Sequence, residues 1–190
     1  MSKLSEAKIL GGIGALLTLL GGFLLPGLGA ILGLILIFIA VKYISEECKD
    51  KSIFDHYLMH FIYSVIAIIA VVMIFFISIG GFNLTFFTLI ESMNFTDFNS
   101  VWNFFKPYLV WWISALIIGW IFIIISGMYL KKSYYSIADK TKVNLFRTTG
   151  LIYFIGAITL IIAIGIFIIL IAKILEIIAY FHLPEKIPSK

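Results

Sequence analysis

Four apolar blocks, residues 9–44, 57–82, 108–130 and 151–181, take up most of this chain and hold almost no charge. A run of about 18 or more apolar residues is long enough to cross a bilayer as a helix. The blocks therefore predict an all-α polytopic integral membrane helical bundle with little of the chain outside the bilayer. A length of 190 residues leaves room for one transmembrane domain, 1–190, and no separate soluble domain.

A helix rises about 1.5 Å per residue, so about 20 residues cross a hydrocarbon core of about 30 Å. The first block is too long for one crossing. Its middle, Leu25-Pro26-Gly27-Leu28-Gly29, combines a missing donor with glycine's freedom to turn. Two spans follow, at about 7–24 and 28–44. Lys3 and Lys8 before an apolar stretch resemble the opening of a signal peptide, but the block leads on into more apolar sequence and reads as a retained span. The second block gives a span at 57–81 and the third one at 107–130, with Pro107 suited to a first helical turn.

The last block is either a single long C-terminal helix, making five spans, or two spans at 149–163 and 166–182 that turn near Ile164-Gly165. An internal echo favours six spans in three hairpins. Gly14-Ala15-Leu16-Leu17-Thr18-Leu19 is similar to Gly156-Ala157-Ile158-Thr159-Leu160-Ile161, and Phe38-Ile39-Ala40 to Ile177-Ile178-Ala179. Charge points the same way, because lysine and arginine accumulate in cytoplasmic loops. With both termini cytoplasmic, six spans put the basic loops 45–56 and 131–148 inside, together with Lys186 and Lys190, and leave Lys106 outside.

The outer loop, 82–106, contains two glycosylation sequons, at Asn83 and Asn94, so the chain is a possible glycoprotein. It is also crowded with Phe86, Phe87, Phe95, Phe98, Trp102, Phe104 and Phe105. Rings of this kind settle at the headgroup level, partly on an amphipathic helix, or dock another membrane subunit. The net charge of +4 is no nucleic-acid footprint, since the basic residues flank apolar blocks where anionic lipid headgroups supply the counter-charge. The lone cysteine, Cys48, excludes an intramolecular disulfide and reads as a reduced surface thiol or an S-acylation site.

Several segments carry a family resemblance: Ser5-Glu6-Ala7-Lys8-Ile9-Leu10-Gly11-Gly12-Ile13-Gly14, Lys42-Tyr43-Ile44-Ser45 through Lys51-Ser52-Ile53-Phe54, and Lys131-Lys132-Ser133-Tyr134 through Ile137-Ala138-Asp139-Lys140-Thr141 with Leu145-Phe146 and Gly156-Ala157. Together they resemble the prokaryotic membrane proteins grouped as domain of unknown function 996. The resemblance implies the fold and assigns no residue a role. Lys173 and Glu176 depart from that pattern. The two basic loops also resemble each other, Ile44, Glu46, Lys49 and Ile53-Phe54 beside Ile137, Asp139, Lys142 and Leu145-Phe146, as duplicated hairpins would.

Lys173 and Glu176 are the sharpest anomaly, two charges at i and i+3 inside an apolar segment. Each costs about 2.5–3.5 kcal/mol at a helix centre, against about 0.3–0.6 kcal/mol returned by each large apolar residue. Insertion thus needs pairing or neighbours. Such charges mark either function or a structural ion pair. His60 lies at similar depth in the third span, so Lys173, Glu176 and His60 form a possible intramembrane polar cluster, with Tyr57 or Tyr63 nearby. His56 and His60 have metal-compatible spacing but no third ligand, so no metal and no cofactor is expected. Gly11 and Ala15, with Gly29 and Gly33, form small-xxx-small patterns for close helix packing, within a hairpin or against a partner.

With no clustered acid–base set or activated nucleophile, the chain is read as no enzyme. The leading expectation is a non-catalytic integral membrane protein, an accessory or scaffold subunit or a homo-oligomer, whose partners are the lipid bilayer, other membrane subunits or itself. The alternative is a small channel or transporter that uses the Lys/Glu/His cluster.

Overall fold

The computed structural model describes residues 2–24, 28–78 and 97–188. The described residues are helical with no strand: α1 (Lys3–Leu24), α2 (Leu28–Glu47), α3 (Lys51–Ser78), α4 (Phe98–Phe105), α5 (Leu109–Thr141), α6 (Asn144–Thr159) and α7 (Ile164–Phe181). Six stretches are long and apolar enough to cross a membrane, α4 and α5 counting as one. Helix is the natural answer here, because it satisfies each backbone N–H and C=O without water. The turn at 25–27 and the sequons Asn83 and Asn94 lie outside the described residues.

Two differences from the sequence reading have physical causes. The basic segments 45–56 and 131–148 are mostly helix, and the chain reverses only at 48–50 and 142–143. Lys49 (φ 51°) and Lys142 (φ 63°) take the left-handed conformation there, which lets each helix end abruptly. The last block does break in two, but before the expected Ile164-Gly165. A 3₁₀ turn at Leu160–Ile162 hands over to Ala163, whose φ of 63° makes the reversal. Gly165 is needed for packing instead: a Cβ there would strike the carbonyl oxygen of Gly156 and the backbone of Leu160.

The chain divides into two compact units, Met1–Tyr63 with Ile124–Lys190, and Ser64–Ile123. In the first unit α1 and α2 meet backbone to backbone. A Cβ on Gly33 would lie 2.6 Å from the Gly14 carbonyl oxygen and 2.7 Å from the Thr18 nitrogen, and one on Gly21 would lie 2.6 Å from the Gly29 carbonyl carbon. On its other side α1 meets α7, where the Tyr180 ring covers Gly11.

One buried pattern recurs through this unit. Gly33, Ile37, Ala40, Val41 and Ile44 on α2 are buried at the same spacing as Ser126, Leu130, Ser133, Tyr134 and Ile137 on α5. Ala172, Glu176, Ala179, Tyr180 and Leu183, on α7 and just past its end, repeat it a third time. Positions i, i+4, i+7, i+8 and i+11 make one helical stripe, the face each helix turns inward. Leu4, Ile53 and Phe146, near the starts of α1, α3 and α6, are matched in the same way and have no exposed surface. The loop likeness seen in the sequence is thus part of a pattern shared by the α2–α3 and α5–α6 hairpins, with the register after the turn one residue on from the sequence reading: buried Ile53 matches buried Phe146, and Phe54 matches Arg147.

The second unit is held by aromatic contacts. The Trp112 indole N–H donates to Ser78 Oγ at 3.0 Å, and its ring stacks on Phe75 at 4.9 Å. Gly119 lets α5 close onto Val71. Asp97 caps α4, accepting from the Asn99 and Ser100 N–H groups at 3.2 and 3.0 Å. Phe98 and Trp102 share one exposed face of this short helix, in agreement with an amphipathic segment.

At the turns of the first unit, Asp50 caps α3. Its carboxylate accepts from the Ser52 N–H at 3.1 Å and the Ser52 hydroxyl at 2.6 Å, and faces Lys140 at 3.6 Å. The Ser52 bonds hold its pKa below the ordinary carboxylate value. Cys48, expected at the surface, is buried at 8% exposure, and that burial pushes its thiol pKa up to about 11.

Two predictions follow from these contacts. Gly33→Ala will lower stability by about 1–3 kcal/mol through overpacking, whereas Leu16→Ala, on an exposed face, will change it by less than about 0.5 kcal/mol. Equal melting of the two variants in detergent would show that the hairpin does not depend on this approach. Asp50→Ala will cost about 1 kcal/mol. Because the Asp50 pKa is depressed on folding, that contribution is present above the unfolded value near 3.8 and is lost as pH falls through the folded one. The gap between wild type and variant in pH-dependent melting should narrow accordingly, and a gap that widens in acid would refute the assignment.

Candidate functional site

Glu176 lies on the inward stripe of α7, at the position that Ile37 and Leu130 fill on α2 and α5. A carboxylate placed there loses nearly all its water, with 3% of its side chain exposed, and must be compensated. Both oxygens are. Lys173, one turn earlier, donates to Oε2 at 2.7 Å, and the Tyr134 hydroxyl donates to Oε1. The Lys173 side chain is 26% exposed, so the pair has one enclosed member and one at the edge of the bundle.

Aromatic residues wall this pair. Tyr57 stacks near Tyr134 at 6.5 Å, Phe146 meets Tyr134 edge-on at 5.4 Å, and Tyr180 meets Phe146 at 5.1 Å. The Tyr180 hydroxyl is buried without a hydrogen-bond partner.

His60 approaches the same group through its neighbours' rings. Its ring lies 5.6 Å from Tyr57 and 5.7 Å from Tyr153. Its Nδ1 is 2.7 Å from Ser126 Oγ and 3.2 Å from the Ser126 carbonyl oxygen, while Ser126 Oγ is 3.0 Å from the His60 carbonyl oxygen. A proton on Nδ1 satisfies all three: the imidazole donates to Ser126 and the hydroxyl donates back. The reciprocal clasp pins α3 to α5.

The sequence cluster therefore separates into two linked parts. Lys173 and Glu176 pair directly, and His60 is clasped by Ser126. Sequence reasoning missed Tyr134 and Ser126, although the register shared by the two basic segments sets Tyr134 opposite Val41 and Ser126 opposite Gly33. Polar residues where the repeat holds small or apolar ones were the available signal. Of the packing residues, Gly29 and Gly33 join α2 to α1, Gly11 admits Tyr180 of α7, and Ala15 is fully buried. His56 stands beside Tyr129, at 6.2 Å between rings. Among the described residues no three His, Cys, Asp or Glu side chains gather as a metal site.

Fold and site define an all-α protein that has, among the described residues, six membrane-length apolar stretches and one buried, internally compensated ion pair. The chain belongs to the family described as protein of unknown function (DUF996), which matches residues 29–174. It is similar to an uncharacterized protein of Methanocaldococcus jannaschii, 37% identical over 188 residues, covering 99% of this chain and 97% of that one. No solved structure matches it.

Breaking the ion pair should hurt more than replacing it. Glu176→Ala leaves Lys173 uncompensated and will cost about 3 kcal/mol or more, whereas Lys173→Leu with Glu176→Ile, after Leu34 and Ile37 at the matched positions, will recover most of that loss. Melting temperatures of the two single variants and the double variant test this. A double variant no more stable than Glu176→Ala would deny the pair its compensating role.

Proposed function

We propose that this chain is a multi-pass integral membrane protein with a non-catalytic role, as an accessory or scaffold subunit or as a homo-oligomer. The observation that carries the reading is the internal compensation of its buried charge: both oxygens of Glu176 bond to Lys173 and Tyr134, and nearby Nδ1 of His60 bonds to Ser126. Groups held in this way fix the packing of helices. A transport site instead exchanges partners with its cargo.

Both termini are proposed to be cytoplasmic. The Ser2 hydroxyl donates to the Glu185 carbonyl, and Lys3 pairs with Glu46 at 2.6 Å, which brings the two ends of the chain to the basic turn after α2. Asp50 links that turn to Lys140 beside the other basic turn. The positive residues thus gather where the positive-inside rule expects cytoplasm. In a Cys48→Ser background, Lys142→Cys should react with an impermeant maleimide from the cytoplasmic side only. Labelling from the opposite face would invert the topology.

A small channel or transporter is the second reading, favoured by the unpartnered Tyr180 hydroxyl beside the Glu176 group. Extraction in mild detergent separates the two. Co-migration with other membrane subunits, or as a defined homo-oligomer without flux in proteoliposomes, supports the scaffold. Solute or proton flux by the protein alone, lost in Glu176→Gln, would replace that reading with transport.

A further inference from the structure

The pattern shared by the α2–α3 and α5–α6 hairpins allows each surface of one to be compared with its counterpart, and at one place they differ in chemical kind. On α2 and α3, Phe38 packs edge-on against Phe54 at 6.2 Å and Phe61 at 5.0 Å, a wholly apolar contact. The matched residues on α5 and α6 are Lys131, Arg147 and Phe154. Two of three rings have become cations, and the third remains.

These cations are held in place by aromatic faces. Lys131 Nζ lies 5.1 Å from the Phe154 ring centre and 5.4 Å from that of Tyr135, and the Arg147 guanidinium lies 5.4 Å from the same Tyr135 ring. Lys132 adds a charge over Tyr129 at 5.2 Å. Asp139 pairs with Arg147 and is the carboxylate of the group. Among the described residues no carboxylate pairs with Lys131 or Lys132. Lys131 and Arg147 share the Tyr135 ring with Asp139 as the one paired carboxylate, and Lys132 follows Lys131 along α5, over a ring that stacks on Tyr63 of α3, so positive charge is in excess here.

Directly along α6 from Arg147, the exposed residues Leu151, Ile155 and Ile158 continue one helical stripe. A cationic head above an exposed apolar track has the shape of a phospholipid: phosphate at one end, acyl chain along the other. We infer that the α5–α6 hairpin carries a binding site for an anionic phospholipid, with Lys131, Lys132 and Arg147 on the headgroup phosphate and Leu151, Ile155 and Ile158 along an acyl chain. The α2–α3 hairpin, with Phe38 and Phe54 at the matched positions, has no such site. The inference rests on the membrane-embedded reading proposed above.

The test uses the purified full-length chain in a mild non-ionic detergent, titrated with phosphatidylglycerol or phosphatidylcholine, with bound lipid counted by native mass spectrometry. Phosphatidylglycerol should be retained roughly tenfold better than phosphatidylcholine. Lys131→Phe with Arg147→Phe copies the packed rings of the α2–α3 hairpin, so it should fold and lose the preference; Lys131→Gln with Arg147→Gln serves if it does not. Lys42→Gln with Lys49→Gln removes equal charge from the other turn and should leave the preference intact. An unchanged preference in the first pair, or an equal loss in the control pair, would overturn the site. Displacement of the lipid by millimolar inorganic phosphate, binding alone as well as the lipid does, would make this a free-anion site and overturn the lipid assignment. Recovery of the protein from membranes without detergent would sink the membrane reading itself, a result distinct from any change in lipid preference.

Discussion

Backbone-to-backbone contact at glycine sets the geometry of the α1–α2 and α6–α7 hairpins. Lipid tails are as apolar as leucine, so helices in a bilayer gain little from hiding apolar side chains and associate through close packing and polar contacts. Gly14 against Gly33 and Gly156 against Gly165 bring α1 to α2 and α6 to α7 at a distance no Cβ would allow. Everything inward of those contacts depends on them. The Tyr180 ring reaches over Gly11 only because α1 offers no side chain there, and α7 in turn sets the depth of Glu176. The buried charge is thus positioned by glycine packing and then locked by Lys173 and Tyr134.

Much of this was legible in the chain, for reasons tied to particular residues. Apolar blocks of membrane length announce helices directly, and the echo between residues 14–19 and 156–161 correctly marked two hairpins, since Gly14 and Gly156 turn out to do the same work. The Lys173–Glu176 pair followed from i,i+3 spacing alone. Turn positions were harder. Sequence reasoning assigns a reversal to glycine, yet Lys49, Lys142 and Ala163 take the left-handed conformation while Gly165 lies in a helix. In these helical hairpins glycine is more valuable where two backbones touch than where one backbone turns. The extent of helix through the basic segments was also hidden, because a polar stretch looks the same whether it forms a loop or extends a helix past the bilayer. Tyr134 and Ser126 escaped notice because a single hydroxyl in apolar sequence stands out only once the two basic segments are set in register, opposite Val41 and Gly33.

The recurrent stripe on α2, α5 and α7 also explains why the first hairpin is so rich in glycine and so poor in polar groups. At matched positions α2 offers Gly33, Ile37 and Val41, α5 offers Ser126, Leu130 and Tyr134, and α7 offers Ala172, Glu176 and Tyr180. The polar members belong to α5 and α7, with His60 and Tyr153 on the matched face of α3 and α6, where α1 has Gly11. One pattern has therefore been specialised unevenly. At these matched positions the α1–α2 hairpin keeps small and apolar residues and packs tightly, and the other helices hold the buried side-chain hydrogen bonds.

That unevenness separates residues that follow from the fold from residues that do not. A feature present in all three copies, such as Ile44, Ile137 and Leu183, or Leu4, Ile53 and Phe146, is explained by the need to fill the same interior layer. A feature present in one copy has no such explanation, because the other copies show that the layer can be filled without it. Glu176 and Lys131 are both of this kind, but they differ in what surrounds them. Glu176 is enclosed and both its oxygens are bonded within the chain, so its cost is met internally and its consequence is a fixed helix register. Lys131 stands where Phe38 packs in the other hairpin, held by rings and, among the described residues, by no carboxylate, with an exposed apolar stripe beside it. A charge compensated inside the chain reports on folding; a charge left uncompensated at the surface reports on what lies outside it. In the membrane setting proposed above, an anionic headgroup is the counter-charge that the α5–α6 hairpin calls for.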